Sequence, residues 1–279
     1  MTPLSSQQVN FFETFGYLGF PGLLADRIDA IIAGFNEVWA LNGGGHNGQP
    51  HDGKARSVIV QFLDQSETLC ALLDDPRVHD IAAGLLGDDF NYMGSDGNFY
   101  VGDTHWHSDG YGGRGGPRHI KIAFYLDALT ANSGCLRVIP GSHRLGEPYA
   151  EALERDTKNS ATLWGIPGSQ VPAQALETQP GDVVVFNHDL KHSAWGGSDR
   201  RRMFTMNCCQ RYPEDKLDHL REYLGHASRF FLERTYADAV LRTATPERMV
   251  HLEQVMANDG HLPELSRRRR LEMAEPSRG

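Results

Sequence analysis

Residues 104–110 read THWHSDG, which puts two histidines and an aspartate within five positions. Neutral imidazole and carboxylate both bind divalent first-row metals. Two histidines with one carboxylate form the facial set of non-haem iron(II) oxygenases, in which the remaining coordination positions stay open for reactants. On a strand, side chains two apart project to the same face. His105, His107 and Asp109 would then share a face, opposite Thr104, Trp106 and Ser108. His107 and Asp109, at i and i+2, supply two ligands of such a set; His105 is a competitor on the same face.

The third ligand must come from elsewhere among thirteen histidines. The strongest candidate is His192, in GDVVVFNHDLKHSAWGGSDRRRMF. It follows the apolar run Val183 to Phe186 and precedes a strand beginning near Arg201, a place where neighbouring strands of a β-sandwich can bring it to the first pair. His188 and His192 would chelate together on a helix, but HDLKH lacks the glutamate that a zinc protease needs as its base, and the valine-rich lead-in favours a strand. An isolated HxD is usually an ordinary surface or core pair. The basic residues beyond His192 raise its standing. A 2-oxoglutarate cosubstrate would chelate iron through its keto acid end, and its far carboxylate would need a cation. Arginine suits this because its planar fork donates two parallel hydrogen bonds. Arg200, Arg201 and Arg202 are available. Alternation groups Arg201 with Met203, Thr205 and Asn207, a polar lining, and Arg202 with Phe204, Met206 and Cys208, a packing face. Arg201 is therefore the first choice and Arg202 the second.

Three stretches, GDTHWHSDG (102–110), NSGCLRVIPGSHR (132–144) and PGDVVVFNHDLKHSAWGGSDRRRMF (180–204), resemble the phytanoyl-CoA dioxygenase-like family of iron(II)/2-oxoglutarate oxygenases. The opening SSQQVNFFETFGYLGFPGLL is similar to that family's entry, so the resemblance runs from about residue 5 to 210. It implies a double-stranded β-helix, a cupin-like jelly-roll core with flanking helices, holding iron at its open end. Carried over, the metal ligands are His107, Asp109 and His192, and the cosubstrate anchor is Arg201 or Arg202. The implied reaction hydroxylates an unactivated C–H bond of a small molecule, using Fe(II), 2-oxoglutarate and O2 and releasing succinate and CO2. Two features depart from the family pattern: the arginine follows the histidine more closely, and Ser193-Ala194 stands where Gly-Ser is usual. Retention of the Asp109 carboxylate argues against halogenation. Asn98 and Lys121 are weaker candidates for cosubstrate contact, as are Tyr100, Tyr125 and Trp195 for lining the site. Competing readings are a jelly-roll metal-binding protein without oxygenase activity, and an oxygenase that desaturates or cyclises its substrate.

The elements that must position these residues follow from periodicity. The first 40 residues read as helical, with Ser5 or Ser6 as a cap and apolar residues from Val9 to Val38 at helical spacing. Residues 66–87 form another helical stretch. From about residue 90 short β-branched or aromatic runs separated by Gly, Pro, Asn and Asp suggest a sandwich or barrel. After about 212 the chain is helical again, with Thr245 capping and Pro246 in a first turn. The expected organisation is a single domain: a mainly helical part over 1–90, the β core over 91–211 and a helical extension over 212–279. The glycine-rich segments 42–53 and 110–116 are candidate lids over the site.

With 279 residues, 40% hydrophobic, the chain can bury a full core. A formal net charge of −9 argues against nucleic acid or anionic membrane as a partner. The basic run RRRR (267–270) reads as a solvated helix or tail, or else a partner contact. The four cysteines lack metal-site spacing and fit a reduced, cytoplasmic protein. The C-terminal helices are a candidate surface for homo-oligomer formation.

Overall fold

Ser5 and Gln8 close a reciprocal capping box, each side chain bonded to the other's backbone amide at 3.2 and 2.9 Å, and this starts helix α1 (Ser6–Phe15). The computed structural model that carries this helix describes residues 3–110 and 116–279. The expected helix over the first 40 residues is interrupted. Gly16 adopts φ 85°, a left-handed conformation that ends α1, and Tyr17–Phe20 extends as strand β1. The helical spacing resumes in α2 (Ile28–Leu41), whose buried face is Ile31, Phe35, Val38 and Trp39. A strand not anticipated from the sequence, β2 (Ser57–Val60), follows the glycine-rich loop. The stretch 66–87 divides into α3 (Glu67–Cys70) and α4 (Pro76–Leu86). Asp75 caps the second by accepting from the Arg77 amide at 3.0 Å, and Pro76 occupies its first turn.

Next come strands β3 (Asn91–Tyr100), β4 (Thr104–His107), β5 (His119–Tyr125) and β6 (Leu136–Val138). An excursion of two helices, α5 (Pro148–Asp156) and α6 (Ser160–Trp164), leads to β7 (Gln174–Leu176), β8 (Val183–Asn187), β9 (His192–Ala194) and β10 (Arg201–Cys209). Six strands pair in the order β1-β8-β5-β10-β3-β2 and four in the order β4-β9-β6-β7. All pairings are antiparallel.

Alternation along β10 assigns the two faces of the large sheet. Phe204, Met206 and Cys208 enter one extensive core with Phe12, Phe35, Phe62 and Phe124, to which the C-terminal part adds Leu220, Val240, Leu252 and Val255. On the other face Tyr125, Val184 and Phe186 pack against Leu136 and Val138 of the small sheet. The C-terminal part is broken into short helices: α7 (Leu217–Gly225), α8 (Asp238–Arg242), α9 (Pro246–Val250), α10 (Glu253–Met256) and α11 (Leu262–Glu272). Phe231, at φ 61°, turns the chain between α7 and α8. Thr245 caps α9 by accepting from the Arg248 amide. The basic run lies on α11, where Arg267 and Arg268 pair with Glu264, Arg269 with Glu272 and Arg270 with Glu233. All four cysteines are free and buried, and among the described residues no helix is long and apolar enough to cross a membrane.

Phe204 joins helices to sheet: its ring stacks on Phe124 at 4.6 Å and meets Phe62 at 5.9 Å. Phe204→Ala should lower unfolding stability by about 3–5 kcal/mol, read as a lower denaturant midpoint. A loss below about 1 kcal/mol would mean that the core does not run through this residue.

Candidate metal centre

His107 and His192 sit directly opposite each other across the antiparallel β4–β9 pair. This register brings their rings to 4.2 Å between centroids. Each ring is turned by the same device. The Nδ1 of His107 lies 2.7 Å from the His105 carbonyl, and that of His192 lies 2.8 Å from the Leu190 carbonyl. A proton on Nδ1 satisfies each carbonyl and leaves Nε2 as a bare lone pair, the tautomer a metal requires. Asp109 comes from two residues past the end of β4 rather than from the strand itself. Its amide donates to the His188 carbonyl at 2.7 Å, which swings the carboxylate back between the histidines. Asp109 Oδ1 is 3.8 Å from His107 Nε2 and Oδ2 is 3.6 Å from His192 Nε2. The donor atoms of the three residues lie within 4.8 Å of one another. Two imidazole nitrogens and one carboxylate so converged fit a first-row divalent ion at ligand distances of about 2.0–2.2 Å.

The electrostatics favour the same protonation states. Burial holds His192 down to about 3, with His107 adding to the effect, so its ring is neutral near pH 7. Burial works to raise the Asp109 carboxyl, but Lys121, whose Nζ is 2.6 Å from Oδ2, together with His192, His188 and His107 outweighs it and holds the group well below the usual carboxylate range. Burial in turn works to lower Lys121, and Asp109 and Asp96 together hold its ammonium above its ordinary value.

The triad opens into a cavity of about 550 Å³. Arg201, Met203, Thr205 and Asn207 all line it. Arg201 is 4% exposed, lies over the Tyr100 ring at 5.0 Å, and its Nη1 has no hydrogen-bond partner among the described residues. Burial lowers its pKa from the ordinary arginine value. Room for this guanidinium is made by Gly134, where a Cβ would fall 1.9 Å from Nη1. A buried guanidinium whose Nη1 is unpaired among the described residues, beside this donor triad, fits an anionic carboxylate of a cosubstrate.

The remaining candidates separate on contact. Arg202 points to the opposite side of β10 and pairs with Asp127 through Nε and Nη2 at 3.1 and 2.7 Å, so it does not line the cavity. Asn98 is fully buried, bonded to Asp96 at 2.6 Å and to Arg56 at 2.9 Å, and is likewise outside the lining. Lys121 lines the cavity but is committed to Asp109. The His105 ring meets Trp195 edge-on at 5.2 Å and contributes its carbonyl, not its imidazole, to the triad. Tyr100 and Tyr125 line the cavity; Trp195 packs with Trp106 and bonds Ser193 Oγ at 2.8 Å. His188 is 3% exposed and lines the cavity in a turn rather than a helix, with neither ring nitrogen hydrogen-bonded among the described residues.

Residues 42–53 contribute nothing to the lining. Within them His51 is tied to Ser57 Oγ at 2.8 Å and to the Asp199 carbonyl at 2.7 Å, which anchors the loop. Of the second candidate lid, 110–116, residues 111–115 lie outside the described residues. Two contributions escaped the sequence reading. Asp96 lines the cavity and accepts from Thr205, although strand alternation from Tyr100 points to it. Leu224, Phe230, Leu232 and Thr235 of the C-terminal part form a wall for which no motif gave a signal.

Comparison with known proteins places the chain in a family. The family model for phytanoyl-CoA dioxygenase matches residues 12–204. The chain belongs to that family. It is thereby an enzyme of the iron(II)/2-oxoglutarate-dependent oxygenases, which use Fe(II), 2-oxoglutarate and O2. Ectoine dioxygenase of Sphingopyxis alaskensis is 27% identical over 225 residues, covering 70% of this chain and 71% of that protein. The iron-bound crystal structure of EctD from S. alaskensis superposes with a TM-score of 0.57 at 25% identity, over 75% of this chain and 78% of that one. The 2-oxoglutarate-dependent carbocyclase SnoK from nogalamycin biosynthesis shares the fold, with a TM-score of 0.58 at 24% identity over 75% and 86% of the two chains.

The buried histidines set the acid stability of the metal-free protein. Burial holds His119 and His192 down to about 3 and His188 down to about 4. An unfolded histidine takes up its proton near pH 6.5, so below that pH the unfolded state binds protons that the folded state refuses. Stability should therefore fall with pH, by about 1.4 kcal/mol per pH unit for each such ring between about pH 6 and pH 4. Asp109 extends the loss in the same direction at still lower pH. Urea titrations in chelator at pH 7 and pH 5 will measure it; an unchanged midpoint would mean that these rings titrate normally.

Proposed function

We propose that this enzyme hydroxylates an unactivated C–H bond of a small-molecule metabolite, with release of succinate and CO2. The observation that carries the reading is the juxtaposition, in one cavity, of the His107–Asp109–His192 donor set and the buried Arg201 guanidinium, whose Nη1 has no partner among the described residues. The two antiparallel sheets are then the two halves of a double-stranded β-helix, within a single domain whose core draws on residues from Phe12 to Val255. Hydroxylation is the outcome of this class that asks least of the substrate beyond a positioned C–H bond.

In this reading His107, Asp109 and His192 hold Fe(II). The bound ion supplies the oxidative decarboxylation of 2-oxoglutarate coupled to oxygenation of the substrate. Arg201 receives the distal carboxylate of 2-oxoglutarate, and Tyr100 supports the guanidinium from one face. Lys121 keeps Asp109 ionised and fixes one of its oxygens, leaving the other to face His107. Leu224, Phe230 and Leu232, with Val58 and Val60, give the cavity an apolar side that excludes water and receives a hydrocarbon portion of the substrate. Arg56 and Asp96, joined at 3.7 Å, give it a polar side.

Anaerobic addition of Fe(II) and then 2-oxoglutarate to the metal-free protein should produce a visible charge-transfer band only when both are present. Arg201→Leu should weaken 2-oxoglutarate binding by about 30-fold or more, the cost of removing one partner of a buried charge pair. Arg202→Leu should change it less than about threefold, since that guanidinium serves Asp127. No band in folded wild-type protein, or equal effects of the two substitutions, would overturn the assignment.

A further inference from the structure

The two ligand-bearing segments are far apart in sequence, and one side chain outside the cavity touches both. Glu154 lies near the end of α5, in the excursion between β6 and β7. Its Oε2 accepts from Ser108 Oγ at 3.0 Å and faces Lys191 Nζ at 2.7 Å. Ser108 stands between His107 and Asp109, and Lys191 immediately precedes His192. Lys191 is 1% exposed, and its Nζ also donates to the Asp189 carbonyl at 2.7 Å. A buried ammonium with so few partners is held firmly by whichever carboxylate it has. Leu153, the residue before Glu154, packs on the cluster of Trp106 and Trp195, which flanks the same two segments. The segments also meet without help: Gly110 lies so close to Asp189 that a Cβ there would fall 1.9 Å from its carboxylate oxygen.

We propose that Glu154 is a positioning residue for the metal centre. As a clasp between Ser108 and Lys191, it sets the separation of the His107–Asp109 pair from His192 and so tunes affinity for iron. The inference rests on the ligand assignment proposed above. Glu154 itself does not line the cavity, so its action passes through the segments it joins. Loss of a partner bonded directly to a ligating side chain commonly lowers metal affinity by about 10–100-fold, and Glu154, one step further out, belongs at the lower end of that range.

The test measures Fe(II) affinity anaerobically in wild type, Glu154→Ala, Glu154→Gln, Ser108→Ala and the double variant Ser108→Ala/Glu154→Ala, with the thermal midpoint of each metal-free protein alongside. Glu154→Ala should weaken Fe(II) binding by about tenfold or more. Ser108→Ala should weaken it less, and should add nothing further in the Glu154→Ala background, because the two act as a unit. Glu154→Gln, which keeps an acceptor oxygen but loses the charge, should fall between wild type and Glu154→Ala. If Glu154→Ala does not fold, Glu154→Gln and Ser108→Ala carry the same comparison. Wild-type Fe(II) affinity in all variants, with only the thermal midpoint lowered, would overturn the clasp and leave Glu154 a stabilising surface contact. If the folded wild type itself binds no iron, it is the ligand assignment that fails.

Discussion

The site depends on one cross-strand pair. Because β4 and β9 run antiparallel with His107 opposite His192, two residues from distant parts of the chain have their rings in contact. Backbone carbonyls then fix both rings in the orientation and tautomer that expose Nε2. A slip of one residue in this register would send one imidazole to the opposite face of the sheet. The strands themselves are short, so the register is held by what surrounds them. The small sheet packs on the large one through Leu136, Val138 and Phe186, and the Asp109 amide is tied to the His188 carbonyl.

Charge is arranged around that pair with unusual economy. A half-buried carboxylate and a half-buried ammonium, Asp109 and Lys121, compensate each other at 2.6 Å, and Asp96 is balanced by Lys121 and Arg56. Arg201, buried at the cavity wall, presents Nη1 without a hydrogen-bond partner among the described residues. Leaving a buried guanidinium so exposed to desolvation costs several kcal/mol unless an anion completes it. The fold tolerates this at a position where Gly134 yields the space and Tyr100 offers its ring face.

Much of this was legible because the relevant signals are local. Strand alternation separated Arg201 from Arg202 correctly by face, and the same rule grouped Thr205 and Asn207 with the cavity. The N-terminal capping box and the Thr245 cap are likewise short-range chemistry. The errors came where local preference met a tertiary demand. Tyr17–Phe20 has apolar residues that continue a helical spacing, yet Gly16 turns the chain and β8 offers a free edge, so the segment becomes a strand. Asn98 shares strand alternation with Tyr100 but is covered by Arg56 and Asp96, a matter of side-chain packing that spacing does not encode. The glycine-rich loop 42–53 reads as a candidate lid, but distant partners such as the Asp199 and Pro276 carbonyls pin its histidines. The C-terminal contribution carried no motif at all; only the folded chain shows it reaching the cavity.

That last contribution separates two responsibilities along the polymer. The donor triad and Arg201 lie within residues 12–204, the span shared with the family, while Leu224, Phe230, Leu232 and Thr235 come from beyond it. A lineage could therefore rewrite the far wall, and with it the shape of molecule admitted, while the oxidising apparatus stays as it was. Divergence in what is oxidised need not disturb how oxidation is done.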